Sequence, residues 1–206
     1  MQMGFYFDQT RCIGCFTCIV ACKDWHDIPA GPASWRWVNT IEKGKYPEPF
    51  VAFLSLSCLH CNQPGCIPAC PVNAISKRGE DGIVVVDREA CLGNEECAMF
   101  CKDACPYSAP QFGAEPGAKM QKCEFCLDKL AENKKPVCVD ACPMRALDAG
   151  PIEELRVKYG DIREAESFAY SEELVPSIVF KPRKDTQGLA VQKIEIAPTS
   201  LVMKGQ

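Results

Sequence analysis

Histidine is almost missing from this chain of 206 residues, with His26 and His60 the only two. Two imidazoles, with no acid–base pair or activated nucleophile beside them in the sequence, leave nothing from which a site for turning over an organic substrate could be assembled. The chain is therefore expected to be non-catalytic. An excess of positive charge is missing as well: 23 basic and 27 acidic side chains give a formal charge of -4. No basic stripe is available for a phosphate backbone, which excludes nucleic acid as an expected partner. Long apolar runs are also lacking. The longest, around Val51 to Leu59 and Ile83 to Val86, fall far short of the roughly 18 residues a spanning helix needs, so the chain is not expected to cross a bilayer itself. No apolar stretch with a basic flank and a cleavage site comes before the first cysteines, so no export address is expected. Export beside a partner that bears one stays open, and with it the side of the membrane.

Cysteine is what the chain has in abundance. All 16 fall into four groups of four: Cys12, Cys15, Cys18, Cys22; then Cys58, Cys61, Cys66, Cys70; then Cys91, Cys97, Cys101, Cys105; and Cys123, Cys126, Cys138, Cys142. An internal repeat supports the grouping, because the last three close with Cys70-Pro71-Val72-Asn73-Ala74, Cys105-Pro106-Tyr107-Ser108-Ala109 and Cys142-Pro143-Met144-Arg145-Ala146. Short candidate strands precede three groups, at Gly4 to Asp8, Val51 to Ser57 and Ile83 to Asp87. The expected rhythm is strand, cysteine loop, short helix. The stretch between the first two groups, with Pro29, Gly31, Pro32, Gly44, Pro47 and Pro49, reads as an irregular surface connection, with Trp25, Trp35 and Trp37 covering the cysteine region or a partner surface. After Cys142, Pro151 opens an apolar pattern at Ile152, Leu155 and Tyr159 that Gly160 ends as a helix. The remainder, with Pro176, Pro182 and Pro198, reads as an extended arm.

Disulfides, zinc sites and iron–sulfur clusters can each explain many cysteines. A disulfide framework belongs with an export signal and does not favour C-x2-C-x2-C loops. Zinc favours a C-x2-C pair followed by a second C-x2-C pair, whereas the last two cysteines of every group here are separated by three residues. The first group matches the C-x2-C-x2-C-x3-C run of cubane clusters, in which the fourth cysteine ligates the neighbouring cluster. Gly14 lets that loop turn tightly enough for amides to reach the sulfurs. Proline follows the fourth cysteine in three groups, and Lys23 takes its place in the first. His60, inside Cys58-Leu59-His60-Cys61, is read as orienting or shielding the loop; His26 and the pair Lys134-Lys135 are read as surface residues.

Several segments carry a resemblance to a known family. They include Arg11-Cys12-Ile13-Gly14-Cys15, Ala21-Cys22-Lys23-Asp24, Leu56-Ser57-Cys58-Leu59-His60-Cys61, Gly82-Ile83-Val84-Val85-Val86-Asp87, Cys105-Pro106-Tyr107-Ser108-Ala109-Pro110-Gln111, Lys134-Lys135-Pro136-Val137-Cys138 and Cys142-Pro143-Met144-Arg145-Ala146-Leu147-Asp148. With these the chain resembles, over nearly its whole length, the four-cluster ferredoxin-like iron–sulfur subunits of molybdopterin oxidoreductases, in the dimethyl sulfoxide reductase-like branch. The resemblance implies four clusters, expected to be [4Fe-4S]. One would sit on Cys12, Cys15, Cys18 and Cys142, and its neighbour on Cys22, Cys123, Cys126 and Cys138. The second pair would use Cys58, Cys61, Cys66 with Cys105, and Cys70 with Cys91, Cys97 and Cys101. The third group departs from the family spacing, with Asn94 at the position of the second cysteine and extra residues before Cys105. Either the loop is lengthened and all four cysteines bind, or one corner lacks a thiolate and a three-iron cluster or an altered potential results.

The implied fold class is α+β. Two ferredoxin-like modules with many irregular loops are stapled by the clusters: a discontinuous one over 1–57 and 119–150, and an inserted one over 58–118. A helix and docking arm over 151–206 complete the chain. The implied function, in anaerobic respiration, is to relay electrons between a molybdopterin (molybdenum or tungsten) catalytic subunit and an integral membrane quinone-reactive subunit, which places the chain at the membrane as part of a complex. A soluble polyferredoxin shuttling between enzymes is the competing possibility.

Overall fold

In the computed structural model, which describes residues 1–184, short strands and helices alternate with long loops. The order is β1 (Met3–Asp8), α1 (Thr17–Trp25), β2 (Arg36–Lys43), β3 (Phe50–Ser57), β4 (Ile75–Lys77), β5 (Val84–Val86), α2 (Phe100–Asp103), α3 (Leu127–Ala131), α4 (Val137–Asp140), β6 (Leu147–Pro151), α5 (Ile152–Tyr159) and β7 (Ile178–Lys181). This is a mixed α and β architecture.

β1 is the middle of a three-stranded sheet, antiparallel to β6 on one side and parallel to β7 on the other. Every residue of it is buried, so both faces must be covered, and the two-residue period assigns them. Met3, Phe5 and Phe7 point into the main core with Ile178 and Phe180, while Tyr6 and Val179 face the opposite way, onto Ile152 and Leu155 of α5. There the Tyr6 and Tyr159 rings stack with centroids 3.6 Å apart and planes within 5°. Gly160 ends α5 at φ 87°, a conformation for which glycine is suited.

The stretch expected to be an irregular connection contains a regular strand. Trp37, Val38, Thr40 and Ile41 favour β structure, and β2 pairs antiparallel with β3 from Arg36 opposite Ser57 to Lys43 opposite Phe50. Only the flanking segments that carry the prolines and glycines stay irregular. The expected strand–loop–helix rhythm also needs correction. Short helices hold the cysteines themselves (Cys18 and Cys22 in α1, Cys101 in α2, Cys138 in α4), and strands β4 and β6 follow the loops of the second and fourth groups.

The arm expected after Gly160 is, up to residue 184, part of the body. Ile178, Val179 and Phe180 are buried in the central sheet. Before them, Phe168 stacks on Tyr107 and the Ser171 N–H donates to the Tyr107 hydroxyl at 3.0 Å. The backbone N–H groups of Asn62 and Gln63 donate to the carbonyls of Val175 and Leu174. This segment is a strap across the second cysteine group, because apolar side chains and free backbone groups both find partners there. Pro198 and the rest of the expected arm lie outside the described residues.

Candidate metal-cluster site

Three cavities are each lined by four cysteines. One has Cys12, Cys15, Cys18 and Cys142; another has Cys58, Cys61, Cys66 and Cys105; the third has Cys70, Cys91, Cys97 and Cys101. A fourth set is mutually close: the Cys22 sulfur feels repulsion from Cys123, Cys138 and Cys126. These are the same four quartets that the family resemblance groups together, including Cys97 of the lengthened loop. Among the described residues, no three Cys, His, Asp or Glu side chains converge tightly enough to share one metal ion. Sulfurs arranged around a space, without meeting at a point, suit a body with one thiolate per corner.

Local geometry explains how distant segments reach the same quartets. Cysteines four apart on a helical turn lie on one face, and each group uses that spacing to serve two neighbouring quartets. Cys18 and Cys22 divide between the first and second sets, as do Cys142 and Cys138; Cys66 and Cys70 divide between the third and fourth, as do Cys105 and Cys101. Sulfurs close enough to oppose one another's ionisation also link the sets in a line. Cys138 acts on Cys18, Cys58 on Cys123, and Cys101 on Cys66, linking first to second, second to third, and third to fourth. All four sulfurs of the second set are buried, whereas Cys15 of the first is exposed and Cys70, Cys91 and Cys97 of the fourth are half-buried. The third set matches the fourth in this respect, with Cys61, Cys66 and Cys105 half-buried, so the row opens to the surface at Cys15, is fully buried at the second set and is half-buried over the third and fourth.

The repeated Cys-Pro-x-x-Ala segment has a structural cause. Asn73, Ser108 and Arg145 all adopt the left-handed region, at φ 53°, 53° and 50°, which turns the next amide back toward the cysteine. Ala74 N–H accordingly donates to Cys70 Sγ at 3.3 Å, Ala109 to Cys105 at 3.5 Å and Ala146 to Cys142 at 3.3 Å. With Lys23 in place of proline, α1 runs on past Cys22 to Trp25. Amides of Met120 and Phe125 donate to Cys91 and Cys123, both at 3.4 Å, and the Thr17 hydroxyl to Cys15 at 3.3 Å. The Thr17 bonds hold the exposed Cys15 thiol below its ordinary pKa. Elsewhere burial, reinforced by neighbouring sulfurs, pushes thiols up: Cys66 and Cys126 to about 12, Cys101 and Cys123 to about 11. Such thiols keep their protons until metal replaces them, so loading releases protons.

His26 is not a surface residue: its side chain is nearly covered, with Nε2 3.2 Å from Cys126 Sγ and its ring 4.6 Å from that of Trp35. Burial holds it neutral by lowering its pKa, against the pull of Glu124, Asp128 and Asp27. His60 is fully buried; its Nδ1 accepts the Val84 N–H at 3.1 Å and lies 4.0 Å from Cys58 Sγ. That bond assigns the proton to Nε2 and ties β5 to the second loop, while the His60 ring meets that of Phe125 edge-on with centroids 5.5 Å apart. Of the tryptophans, Trp35 is buried and donates to Gln121 at 2.9 Å, whereas Trp25 stays half exposed and donates to Asp128 at 2.7 Å.

Two buried cations carry no sequence signature. Arg36 is 2% exposed, with Nη1 3.2 Å from Ser55 Oγ, Nη2 3.0 Å from Ser57 Oγ, and its guanidinium 5.0 Å above the Phe5 ring. Burial would lower its pKa, but the sulfurs of Cys138, Cys18, Cys123 and Cys22 together raise it above the ordinary value. Lys122, also 2% exposed, lines the third quartet's cavity and donates to the carbonyls of Val84 and Cys123.

A family model for a 4Fe-4S dicluster domain matches residues 49–152. The B subunit of the anaerobic dimethyl sulfoxide reductase of Escherichia coli (strain K12) is 43% identical over 194 residues, covering 90% of this chain and 91% of that protein. This protein belongs to the family of dimethyl sulfoxide reductase B subunits. More distant relatives of this family include the thiosulfate reductase electron transfer subunit PhsB of Salmonella typhi, 37% identical over 76% of this chain and 80% of its own length. The formate dehydrogenase iron-sulfur subunit of Wolinella succinogenes is likewise 37% identical, over 72% and 81%.

Proposed function

We propose that this chain is the electron-transfer subunit of a molybdopterin oxidoreductase complex, relaying electrons one at a time along four [4Fe-4S] clusters. The observation that carries the reading is the single file of cysteine quartets, reaching the surface at Cys15 and fully buried at the second set. The clusters supply reversible one-electron chemistry over a wide span of potential. The protein's part is to fix their spacing, to exclude water from the inner sites and to aim amide and hydroxyl donors at the sulfurs. We assign one cluster to each quartet, with Cys70, Cys91, Cys97 and Cys101 all ligating the last; the shared cavity of those four supports this over a missing corner.

Apolar side chains ring both ends of the row. Ile13, Phe16 and Met144 are exposed around the first quartet, and Val72 and Phe100 around or beside the fourth. Exposed apolar groups around an opening suit a permanent protein contact. By analogy with the family, the first end would meet the pterin-bearing catalytic subunit and the far end a quinone-reactive membrane subunit. The described residues contain no helix long and apolar enough to span a bilayer. The two-module division over 1–57 with 119–150 and over 58–118 remains our reading, supported by the way the first and fourth groups share two quartets and the middle groups share the other two.

Anaerobic size-exclusion chromatography of native extract, with iron and acid-labile sulfide measured across the profile, tests the proposal. Co-elution with a large pterin-containing subunit is expected. Elution as a lone monomer would identify a free polyferredoxin carrier, and absence of labile sulfide would remove the clusters altogether.

A further inference from the structure

A buried charge without a counter-ion is one of the most unfavourable features a fold can carry, because desolvation costs several kcal/mol unless an opposite charge offsets it. Arg36 and Lys122 both stand in that position. Neither takes part in any ion pair among the described residues. Arg36 touches two serine hydroxyls and the Phe5 ring, and the nearest groups able to carry negative charge are the sulfurs of Cys138, Cys18, Cys123 and Cys22. Across the β2–β3 ladder Ser57 lies directly opposite, and Ser55 lies two residues along on the same face; both hydroxyls accept from the guanidinium. Ser55 Oγ is in turn 3.6 Å from Cys18 Sγ. Cys18 lines the first quartet, while Cys22, Cys123 and Cys138 belong to the second. The guanidinium is thus pinned at the junction of two sites. Lys122 has the corresponding place at the third, in the wall of the cavity formed by Cys58, Cys61, Cys66 and Cys105.

We propose that Arg36 is a fixed counter-charge shared by the first two clusters, and that it holds both of their reduction potentials up; Lys122 does the same for the third. The inference rests on the four-cluster reading above. A cluster on four thiolates is anionic when oxidised and gains a further negative charge with each electron it accepts, so a nearby buried cation favours the reduced form. The serine hydroxyls hold the guanidinium in place, and Phe5 closes it off from water, so solvent screens the charge little. Arg36 is a positioning residue here, touching no electron donor or acceptor of the chain's partners.

The test is potentiometric titration of the assembled complex, followed by electron paramagnetic resonance, for the wild type, Arg36→Met, Arg36→Lys and Lys122→Met, with iron and labile sulfide counted in each. Arg36→Met is expected to shift the midpoints of the first two clusters to more negative potential and leave the fourth unmoved, and Arg36→Lys to restore most of the difference. Lys122→Met should move the third cluster and leave the first in place. Wild-type midpoints in fully loaded Arg36→Met, or an equal displacement of all four clusters, would overturn the proposal. If Arg36→Met does not load, Arg36→Lys decides: loading with the lysine supports a charge requirement, whereas failure of both variants shows that the shape of arginine is what matters and refutes it. Lack of clusters in the wild type would instead defeat the relay reading itself, so the two failures are distinguishable.

Discussion

Replacing Gly93 with alanine should remove the cluster at the far end of the row and leave the other three. Gly93 opens the lengthened loop from Cys91 to Cys97 and sits at φ +90°, where a Cβ atom would lie 2.5 Å from the Gly117 carbonyl oxygen and 2.9 Å from its carbon. Those atoms are backbone. They are held against the loop by the Asn94 N–H, which donates to the Ala118 carbonyl at 3.0 Å, so they cannot swing aside as a side chain would. A left-handed backbone costs a residue with a Cβ about 1–2 kcal/mol, and overpacking adds about 1–3 kcal/mol. Together this gives about 2–5 kcal/mol, concentrated on one loop. The segment that must retreat also supplies the Met120 amide to Cys91 Sγ at 3.4 Å and the Lys119 ammonium to the Cys91 carbonyl at 2.6 Å, so the ligand moves with it. Iron and labile sulfide per chain should fall by the content of one cluster, with the remaining resonance signals unchanged. Gly117→Ala is the control: at φ +68° with no atom within 4 Å of the added carbon, it bears only the conformational part and keeps all four clusters. Full loading of Gly93→Ala with an unaltered thermal midpoint would refute the steric reasoning.

At the opposite end, Gly14→Ala would drive a Cβ into the Phe53 ring at φ +67°, and should cost the first cluster, seen as loss of its resonance signal with the far cluster intact. Cys97→Ser should lower iron content or convert the last cluster to a three-iron form; unchanged content and spectrum would strike Cys97 from the ligands. Asp148→Asn should lower the thermal unfolding midpoint at neutral pH. Despite burial, bonds from Tyr159, Lys135, the Ala149 amide and Lys158 hold the Asp148 carboxyl down at about 2. Because the folded value lies below the ordinary one, this stabilisation is present above about pH 4 and is lost as pH falls toward the folded value. Allowing for partial exposure it is worth about 1 kcal/mol, and a midpoint unmoved at pH 7 would show the network to be idle.

The chemistry was more legible in the sequence than the scaffold around it. Cysteine spacing and the thrice-repeated Cys-Pro-x-x-Ala segment are local signals, and their consequence, a left-handed residue followed by an amide aimed at sulfur, is local too. β2 was hidden because its strand-forming residues lie between proline- and glycine-rich flanks, although its partner β3 was expected as a strand over Val51 to Ser57. β7 was missed for another reason: its pairing with β1 spans most of the chain, and the prolines around it suggested an arm. Arg36 and His26 have unremarkable neighbours in sequence and acquire their roles only when Cys18, Cys138 and Cys126 are brought to them in space. No pattern along one strand reports that convergence.

The placement of β1 between β6 and β7 bears on how the molecule is made. Residues 58–105 contain every cysteine of the third and fourth quartets, so those two sets have all their sulfurs as soon as that stretch has left the ribosome. Cys12, Cys15 and Cys18, though synthesised first, must wait for Cys142, and the opening strand, apart from the Met3 N–H bond to the Asp81 carbonyl, has no strand partner until residues 147–151 and then 178–181 emerge. Iron delivery during translation would therefore fill the sites in reverse order of the chain's beginning, and the end of the wire nearest the N-terminus would be the last to become conducting.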